Sequence, residues 1–67
     1  MAEVRQHLAN RRVELDFTQQ EVANAVGISR SSYAAIERGL RNPSLDVAQK
    51  ISKKLKMPVI KAFPIKK

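Results

Sequence analysis

The chain has 67 residues and a formal net charge of +7, from 13 lysines and arginines against 6 aspartates and glutamates. This length predicts a single domain over residues 1–67, and the absence of cysteine excludes disulfides and thiolate metal ligands. One histidine does not make a zinc site, so we expect no metal and no cofactor. The positive charge favours a polyanionic partner, which leaves DNA, RNA and acidic membranes open.

The sequence gives no indication of a membrane-directed segment. No apolar run approaches the ~18 residues that a membrane span requires. The first residues include Glu3, Arg5 and His7 and lack the apolar core of a signal peptide. We therefore expect a cytoplasmic protein that does not associate with membranes.

Two helices are predicted in the first 27 residues. The first is predicted over roughly residues 2–14, because Val4, Leu8 and Leu15 fall on one helical face. The second begins after Thr18, because Thr18 and Glu21 have the spacing of a capping box, in which each side chain hydrogen-bonds the amide of the other residue. Gly27 ends this helix, since glycine accepts a left-handed backbone. The apolar face between these ends consists of Val22, Ala23 and Val26.

The third predicted helix forms a helix-turn-helix layout with the second. Ser29 is expected to cap it, and it buries Tyr33 and Ile36 before it stops at Gly39. Ala23 supplies the small residue that is needed where the two helices cross. The third helix also begins with polar side chains that can form hydrogen bonds, namely Ser29, Arg30 and Ser31. In a helix-turn-helix, this second helix of the pair enters the major groove of DNA.

A fourth and a fifth helix complete the predicted fold. Ser44 is expected to cap the fourth helix, whose core-facing stripe is Leu45, Ala48, Ile51 and Leu55. Pro58 opens a short fifth helix that runs through Phe63, and residues 64–67 leave open a short C-terminal strand or extension. The chain is therefore predicted to be all-α, a compact bundle of four to five short helices.

Over roughly residues 4–60 the chain resembles the phage repressor and Cro group of DNA-binding domains, the XRE-type helix-turn-helix family. The residues that carry the resemblance form four stretches, which are Phe17–Ala23, Val26–Ser29, Ile36–Gly39 and Asn42–Leu45. The resemblance implies a bundle of the lambda repressor type whose third helix reads DNA. It also implies a transcriptional regulator, since most members of the family are dimeric regulators.

The resemblance assigns base contacts to the third helix, at Ser29, Arg30, Ser31, Ala34 and Ala35. An arginine can bind guanine O6 and N7 with two hydrogen bonds, a contact worth about 1–3 kcal/mol of base discrimination. The leading interpretation of Arg30 is therefore a contact with guanine. The alternative is an arginine that binds phosphate or is only solvated. The two alanines either touch a thymine methyl group or only allow the helix to approach the bases.

Phosphate contacts are expected at Gln19, Arg38, Arg41, Asn42 and Ser44, and the resemblance assigns the first of them. Gln19 is also expected to support a recognition residue, and the alternative is a helix-favouring surface residue. The other four residues lie before or at the start of the fourth helix, whose free amides make a site for phosphate. An ordinary charged loop is the competing interpretation of this segment.

Arg12 flanks the apolar face of the first helix. The resemblance implies that it forms a structural ion pair with Glu37, which ties the first helix to the end of the third. A buried arginine needs such a partner. From periodicity alone, a solvated charge is equally consistent with the position of Arg12.

These expectations together favour a sequence-specific regulator of transcription that binds double-stranded DNA, acting as a repressor on a palindromic operator. A homodimer is expected, with residues 57–67 as the dimerisation segment. The apolar side chains proposed for its interface are Val59, Ile60, Phe63 and Ile65, and capping of the bundle core is their alternative role.

Other functional classes fit the sequence less well. An antitoxin or immunity-type module, whose main partner is an unidentified protein, remains the alternative within the same fold. An RNA-binding domain would need exposed aromatic residues for base stacking, and only 3 aromatic residues are present, 1 Tyr and 2 Phe. An enzyme is not expected, because no nucleophile–base pair, carboxylate pair or glycine-rich phosphate loop is visible.

Overall fold

The computed structural model describes residues 4–64. Five α-helices follow one another along the chain: α1 (Gln6–Glu14), α2 (Gln19–Val26), α3 (Arg30–Glu37), α4 (Leu45–Lys54) and α5 (Val59–Ala62). No strand occurs within this range, so the prediction of an all-α bundle is confirmed. None of its helices is long and apolar enough to cross a membrane.

The helices of the helix-turn-helix begin and end where the capping residues predict. The Thr18 hydroxyl accepts from the Glu21 amide at 3.0 Å, and the Glu21 carboxylate accepts from the Thr18 amide at 2.8 Å, which completes the capping box. Gly27 follows α2 with a φ of 79°, the left-handed conformation expected at this turn. The Ser29 hydroxyl then accepts from the Ser32 amide at 3.1 Å and starts α3.

The start of α1 differs from the prediction. The helix begins at Gln6 rather than at residue 2, and residues 1–3 lie outside the described range. Arg5 has a non-helical ψ of 70°, and its amide donates to the Glu37 carbonyl at 2.7 Å instead of joining a helix. Val4 is consequently 62% exposed and does not share the apolar face of Leu8. Thus the chain enters α1 along the end of α3.

The hydrophobic core lies between all five helices. It is built from one buried side chain of α1, three of α2, two of α3, one of α4 and one of α5, together with the residue that follows α4. These are Leu8, Val22, Ala23, Val26, Tyr33, Ile36, Ile51, Ala62 and Leu55. The predicted stripe of α4 is wrong at Leu45, which is 72% exposed. Leu45 is the first residue of α4, where its side chain extends past the core that Ala48 and Ile51 help to form.

The segment around α1 also bonds the ends of the other helices. Arg11 donates from Nε to the Leu55 carbonyl at the end of α4 at 2.9 Å. His7 Nε2 lies 2.7 Å from the Ala62 carbonyl at the end of α5, where it acts as the donor. Because carbonyls at helix ends lack partners within the helix, these side chains satisfy acceptors that the bundle would otherwise leave to water.

Candidate nucleic-acid interface

The first turn of α3 forms an exposed polar surface. Ser29, Arg30 and Ser31 are exposed, while Ala34 and Ala35 one turn later are half-buried. On the opposite face of α3, Tyr33 and Ile36 are buried and pack in the core. This arrangement leaves Arg30 as the long side chain at the start of the exposed face, next to two small hydroxyl side chains.

Gln19 connects this surface to the interior of the bundle. Its side-chain oxygen accepts from Arg30 Nη1 at 3.2 Å, and its side-chain nitrogen donates to Glu37 Oε1 at 3.1 Å. An ionised carboxylate only accepts hydrogen bonds, so Glu37 determines which end of the Gln19 amide faces Arg30. Gln19 therefore supports the side chain of Arg30, for which the resemblance predicts a base contact.

Arg12 and Glu37 form the ion pair at the inner end of this chain of contacts. Arg12 Nε lies 2.7 Å from Glu37 Oε2, and Arg12 Nη1 donates to the Phe17 carbonyl at 2.9 Å. The two side chains are only 15% and 6% exposed, which makes the pair a largely buried one. It joins α1 to the end of α3 and to the residue before the capping box.

The ion pair shifts the pKa values of the groups around it. Burial opposes the charged form of Glu37, but the hydrogen bonds it accepts, from Arg12 above all, outweigh this effect and lower its pKa. The hydrogen bond to Glu37 is also the main cause that raises the pKa of Arg12. The Tyr33 hydroxyl is buried beside them, without a hydrogen-bond partner of good geometry among the described residues. Its burial raises the pKa of Tyr33, and the nearby carboxylate acts in the same direction.

The loop between α3 and α4 carries the other residues assigned to phosphate. Arg38 and Arg41 are exposed, as is Ser44, whose hydroxyl accepts from the Val47 amide at 3.3 Å and caps α4. Arg41 Nη1 donates to the Ser32 hydroxyl at 3.3 Å, which brings its guanidinium against α3. Asn42 differs, because its side-chain oxygen accepts from Arg5 Nη2 at 2.7 Å. The structure thus gives Asn42 a hydrogen bond within the protein, while its contact with phosphate stays a prediction.

Arg5 is a residue of this region that the sequence reasoning did not identify. Its Nη1 donates to the Ile36 carbonyl at 2.6 Å and to the Arg41 carbonyl at 3.1 Å. Its guanidinium carbon also lies 5.3 Å from the centre of the Phe63 ring, within the range of a cation–π contact. The hydrogen-bond partners of the Arg5 side chain are 31 to 37 residues away along the chain, so no local sequence pattern could have revealed them.

The proposed dimer residues lie along a groove between α4 and α5, which we call the α4–α5 groove. Its volume is about 580 Å³, and it is lined by Arg5, Asn42, Pro43, Leu45, Ala48, Val59, Ile60, Phe63 and Pro64. Leu45 and Ile60 are 72% and 66% exposed, and Val59 is 38% exposed. Ile65, the remaining residue assigned to the interface, lies outside the described residues. The groove therefore combines three expected residues with Leu45, which was expected in the core.

Residues 4–64 contain no group of three or more histidine and acidic side chains that could hold a metal ion. Three exposed arginines lie instead at the two ends of α3 and in the loop that follows it, namely Arg30, Arg38 and Arg41. Such a distribution is suited to an anionic partner that lies across the start of α3 and the following loop.

Residues 8–60 match the helix-turn-helix family. The cryptic phage CTXphi transcriptional repressor RstR of Vibrio cholerae is 40% identical over 48 residues, which make up 72% of this chain and 43% of that protein. The HTH-type transcriptional regulator YqaF of Bacillus subtilis is 48% identical over 52 residues, or 78% of this chain and 68% of that protein. The chain thus spans less than half the length of RstR and about two thirds of YqaF.

Two solved structures have the same arrangement of helices. The restriction-modification controller protein C.AhdI of Aeromonas hydrophila superposes with a TM-score of 0.78 at 31% identity, over 87% of this chain and 88% of that one. A chain of the SinR–SinI protein complex superposes with a TM-score of 0.80 at 29% identity, over 91% of this chain and 60% of that one. The resemblance inferred from the capping box, the glycine turn and the loop before α4 is confirmed, and the chain belongs to the XRE-type helix-turn-helix family.

Proposed function

We propose that the protein regulates transcription by binding double-stranded DNA, with α3 in the major groove. The observation that carries this proposal is the exposed first turn of α3, where Arg30 is held by Gln19 above a buried ion pair. A fixed arginine can match guanine O6 and N7 at lower entropic cost than a free one. Repression is the regulatory direction we propose, and it is supported by the similarity to the phage repressor RstR.

Phosphate contacts on either side of α3 would set its position on the duplex. Arg38, Arg41 and the amides at the start of α4 follow α3 along the chain, and Gln19 precedes it at the start of α2. Such contacts fix register and carry no sequence information themselves. Ala34 and Ala35 leave the middle of α3 with few groups for base recognition, so DNA shape contributes to specificity in this proposal.

Selection of bound sites from random duplex DNA tests the proposal directly. We expect a defined site, a binding constant that falls steeply with salt, and a loss of preference at one base pair in Arg30→Ala. Arg38→Ala is the matched control, since it removes an exposed arginine at the other end of α3 and should weaken all sequences alike. Equal weakening of every sequence by Arg30→Ala would assign that arginine to the backbone instead.

We further propose that the protein acts as a homodimer through the α4–α5 groove and the segment 57–67, so that its operator is palindromic. Leu45, Val59 and Ile60 expose apolar surface on one side of the bundle, which a second copy of the chain would remove from water. Two-fold symmetry would place the two α3 helices about 34–36 Å apart, one turn of DNA. The cytoplasm remains the predicted location.

Light scattering of the wild type and of Ile60→Glu tests the dimer. We expect a dimer that Ile60→Glu converts to a folded monomer, because a buried charge without a partner opposes association. Val13→Glu is the control, since Val13 is similarly exposed at 62% but belongs to α1. A wild-type monomer at high concentration would contradict the dimer and favour the alternative, in which the groove binds another protein.

A further inference from the structure

We propose that Arg5 is a positioning residue that holds the α3–α4 loop against α5, and so couples contact in the α4–α5 groove to phosphate binding at the loop. This inference rests on the proposed function for its consequence at DNA, although its structural part does not. It follows from the number and the placement of the groups that one side chain touches.

The hydrogen bonds of Arg5 reach both ends of the segment that leaves α3. One bond goes to the Ile36 carbonyl at 2.6 Å, another to the Arg41 carbonyl at 3.1 Å, and a third to the Asn42 side chain at 2.7 Å. A guanidinium holds its donors in a rigid planar fork, so three acceptors bound at once have fixed relative positions. The Arg5 amide adds a fourth bond, to the Glu37 carbonyl at 2.7 Å.

The same guanidinium also contacts Phe63, the residue that follows α5. Its carbon lies 5.3 Å from the centre of the Phe63 ring, and both side chains line the α4–α5 groove. The groove and the loop therefore share Arg5, and Asn42 and Pro43 of the loop are also part of the groove wall. A second copy of the chain that fills the groove, as in the proposed dimer, would therefore contact the group that positions the loop.

Filling the groove is expected to strengthen the contacts of Arg5. A partner that excludes water lowers the local dielectric constant, and both cation–π contacts and charged hydrogen bonds are stronger when desolvated. The loop that carries Arg41 would then be held more firmly, which favours its phosphate contacts. Because coupling between two binding events is reciprocal, DNA at the loop would equally favour occupation of the groove.

Two amides of the loop can report on this positioning without any ligand. The amides of Leu40 and Arg41 both donate to the Ala35 carbonyl, at 2.9 and 3.3 Å. Their hydrogen exchange depends on how often the loop opens locally. Comparison with exchange of the Val22 amide, which donates to the Thr18 carbonyl within the motif, separates loop opening from loss of overall stability.

The first experiment measures this exchange in Arg5→Gln and in Arg11→Gln, without DNA. Arg11 is a matched control, because it also donates to two carbonyls, at Leu55 and Lys56, and lies outside the groove and the loop. We expect exchange at Leu40 and Arg41 to rise about tenfold in Arg5→Gln relative to Val22, as for the loss of one or two hydrogen bonds. Unchanged relative exchange in Arg5→Gln would overturn the proposal, whatever the protein does with DNA.

The second variant, Phe63→Leu, tests the link to the groove while it leaves every charge in place. We expect it to raise relative exchange at Leu40 and Arg41 by about threefold, since it removes the cation–π contact while leucine keeps an apolar side chain against the core. If the loop exchanges as in the wild type, Arg5 positions the loop independently of α5 and the coupling is refuted.

The third measurement is the salt dependence of duplex binding. Arg5→Gln should reduce the slope of log K against log salt by about one more than Arg11→Gln does, as expected for one lost phosphate contact. The double variant with Arg5→Gln and Arg41→Ala should have nearly the same slope as Arg5→Gln alone, because the phosphate contact of the loop is already lost. Full additivity would mean that Arg5 itself binds a phosphate, against the proposal. Absence of salt-dependent binding in the wild type would contradict the proposed function and leave the exchange results to decide the structural part.

Discussion

Gln19 donates a hydrogen bond to Glu37 at 3.1 Å and in the same orientation presents its carbonyl oxygen to the surface. The buried carboxylate thereby selects the orientation of the amide that contacts Arg30. Within residues 4–64, the side chain of Gln20, the next residue, bonds only to the exposed Asn24 on its own helix, at 2.8 Å. Two neighbouring glutamines thus have very different surroundings.

Gln19→Ala should therefore destabilise the protein by about 1–2 kcal/mol, since it removes a donor to a buried charge. Gln20→Ala should change the free energy of unfolding by less than about 0.5 kcal/mol, as is usual for exposed positions. Urea unfolding followed by circular dichroism measures both variants. Equal effects of the two substitutions would show that the bond to Glu37 has no energetic weight.

The Arg12–Glu37 pair should behave as a coupled unit. Arg12→Ala and Glu37→Ala each leave a buried charge without its partner, and each should cost about 3 kcal/mol. The double variant should cost less than the sum of the two, because it leaves neither charge behind. A double-mutant cycle of unfolding free energies provides the measurement, and strict additivity would argue against the pair.

Acid should weaken the fold through Glu37. Its pKa in the folded protein lies below the ordinary value of 4.5, so the unfolded chain binds the proton more readily. The stabilisation is fully present above pH ~5 and is lost as pH falls through the folded pKa. Glu37→Gln, although less stable at neutral pH, should lose less stability between pH ~5 and ~3 than the wild type.

The control for this pH dependence is Glu14→Gln, because the Glu14 side chain is 66% exposed and makes only a 3.4 Å contact with Arg11. It should retain the acid sensitivity of the wild type. Thermal unfolding at a series of pH values compares the three proteins. If the stability of Glu37→Gln fell with pH as much as that of the wild type, the acid-sensitive group would be a residue other than Glu37.

Gly27→Ala tests the turn of the helix-turn-helix. An added Cβ at this position meets no atom within 4 Å, so the cost arises from the backbone φ of +79° alone. We expect a loss of about 1–2 kcal/mol, and a smaller loss for Gly27→Asn because asparagine tolerates the left-handed conformation better. Thermal unfolding would show the difference, and equal stability of Gly27→Ala and the wild type would mean that the turn relaxes.

The parts of the fold that the sequence predicts correctly depend on local chemistry. Thr18, Glu21, Gly27 and Ser29 act within a few residues of themselves, so their spacing was enough to delimit α2 and the start of α3. The start of α1 has no such residue, and its position depends on a bond between the Arg5 amide and Glu37 at the far end of α3. The hydrophobic periodicity of the sequence carries no information about a contact between residues so far apart along the chain.

The same distinction applies to the candidate site. The exposed turn at Arg30 and the partner of Arg12 were anticipated, the second only through the resemblance to the family. Leu45 was misplaced because helical periodicity defines a face of α4 but not how far the neighbouring helices extend along it. Arg5 was missed because its role comes from partners on three separate segments.

The hydrogen bonds from the α1 segment to the ends of α3, α4 and α5 indicate that the helix-turn-helix of α2 and α3 is not an independent unit. Arg5, His7 and Arg11 each contact the end of a different helix, and Leu8 fills the core above them. A fragment that contained α2 and α3 alone would retain its caps but lose the partner of Glu37 and the cover of the core. The exposed first turn of α3 consequently depends on the whole bundle for its support. To present the same side chains on another protein, one would have to exchange residues of α3 within an intact five-helix bundle.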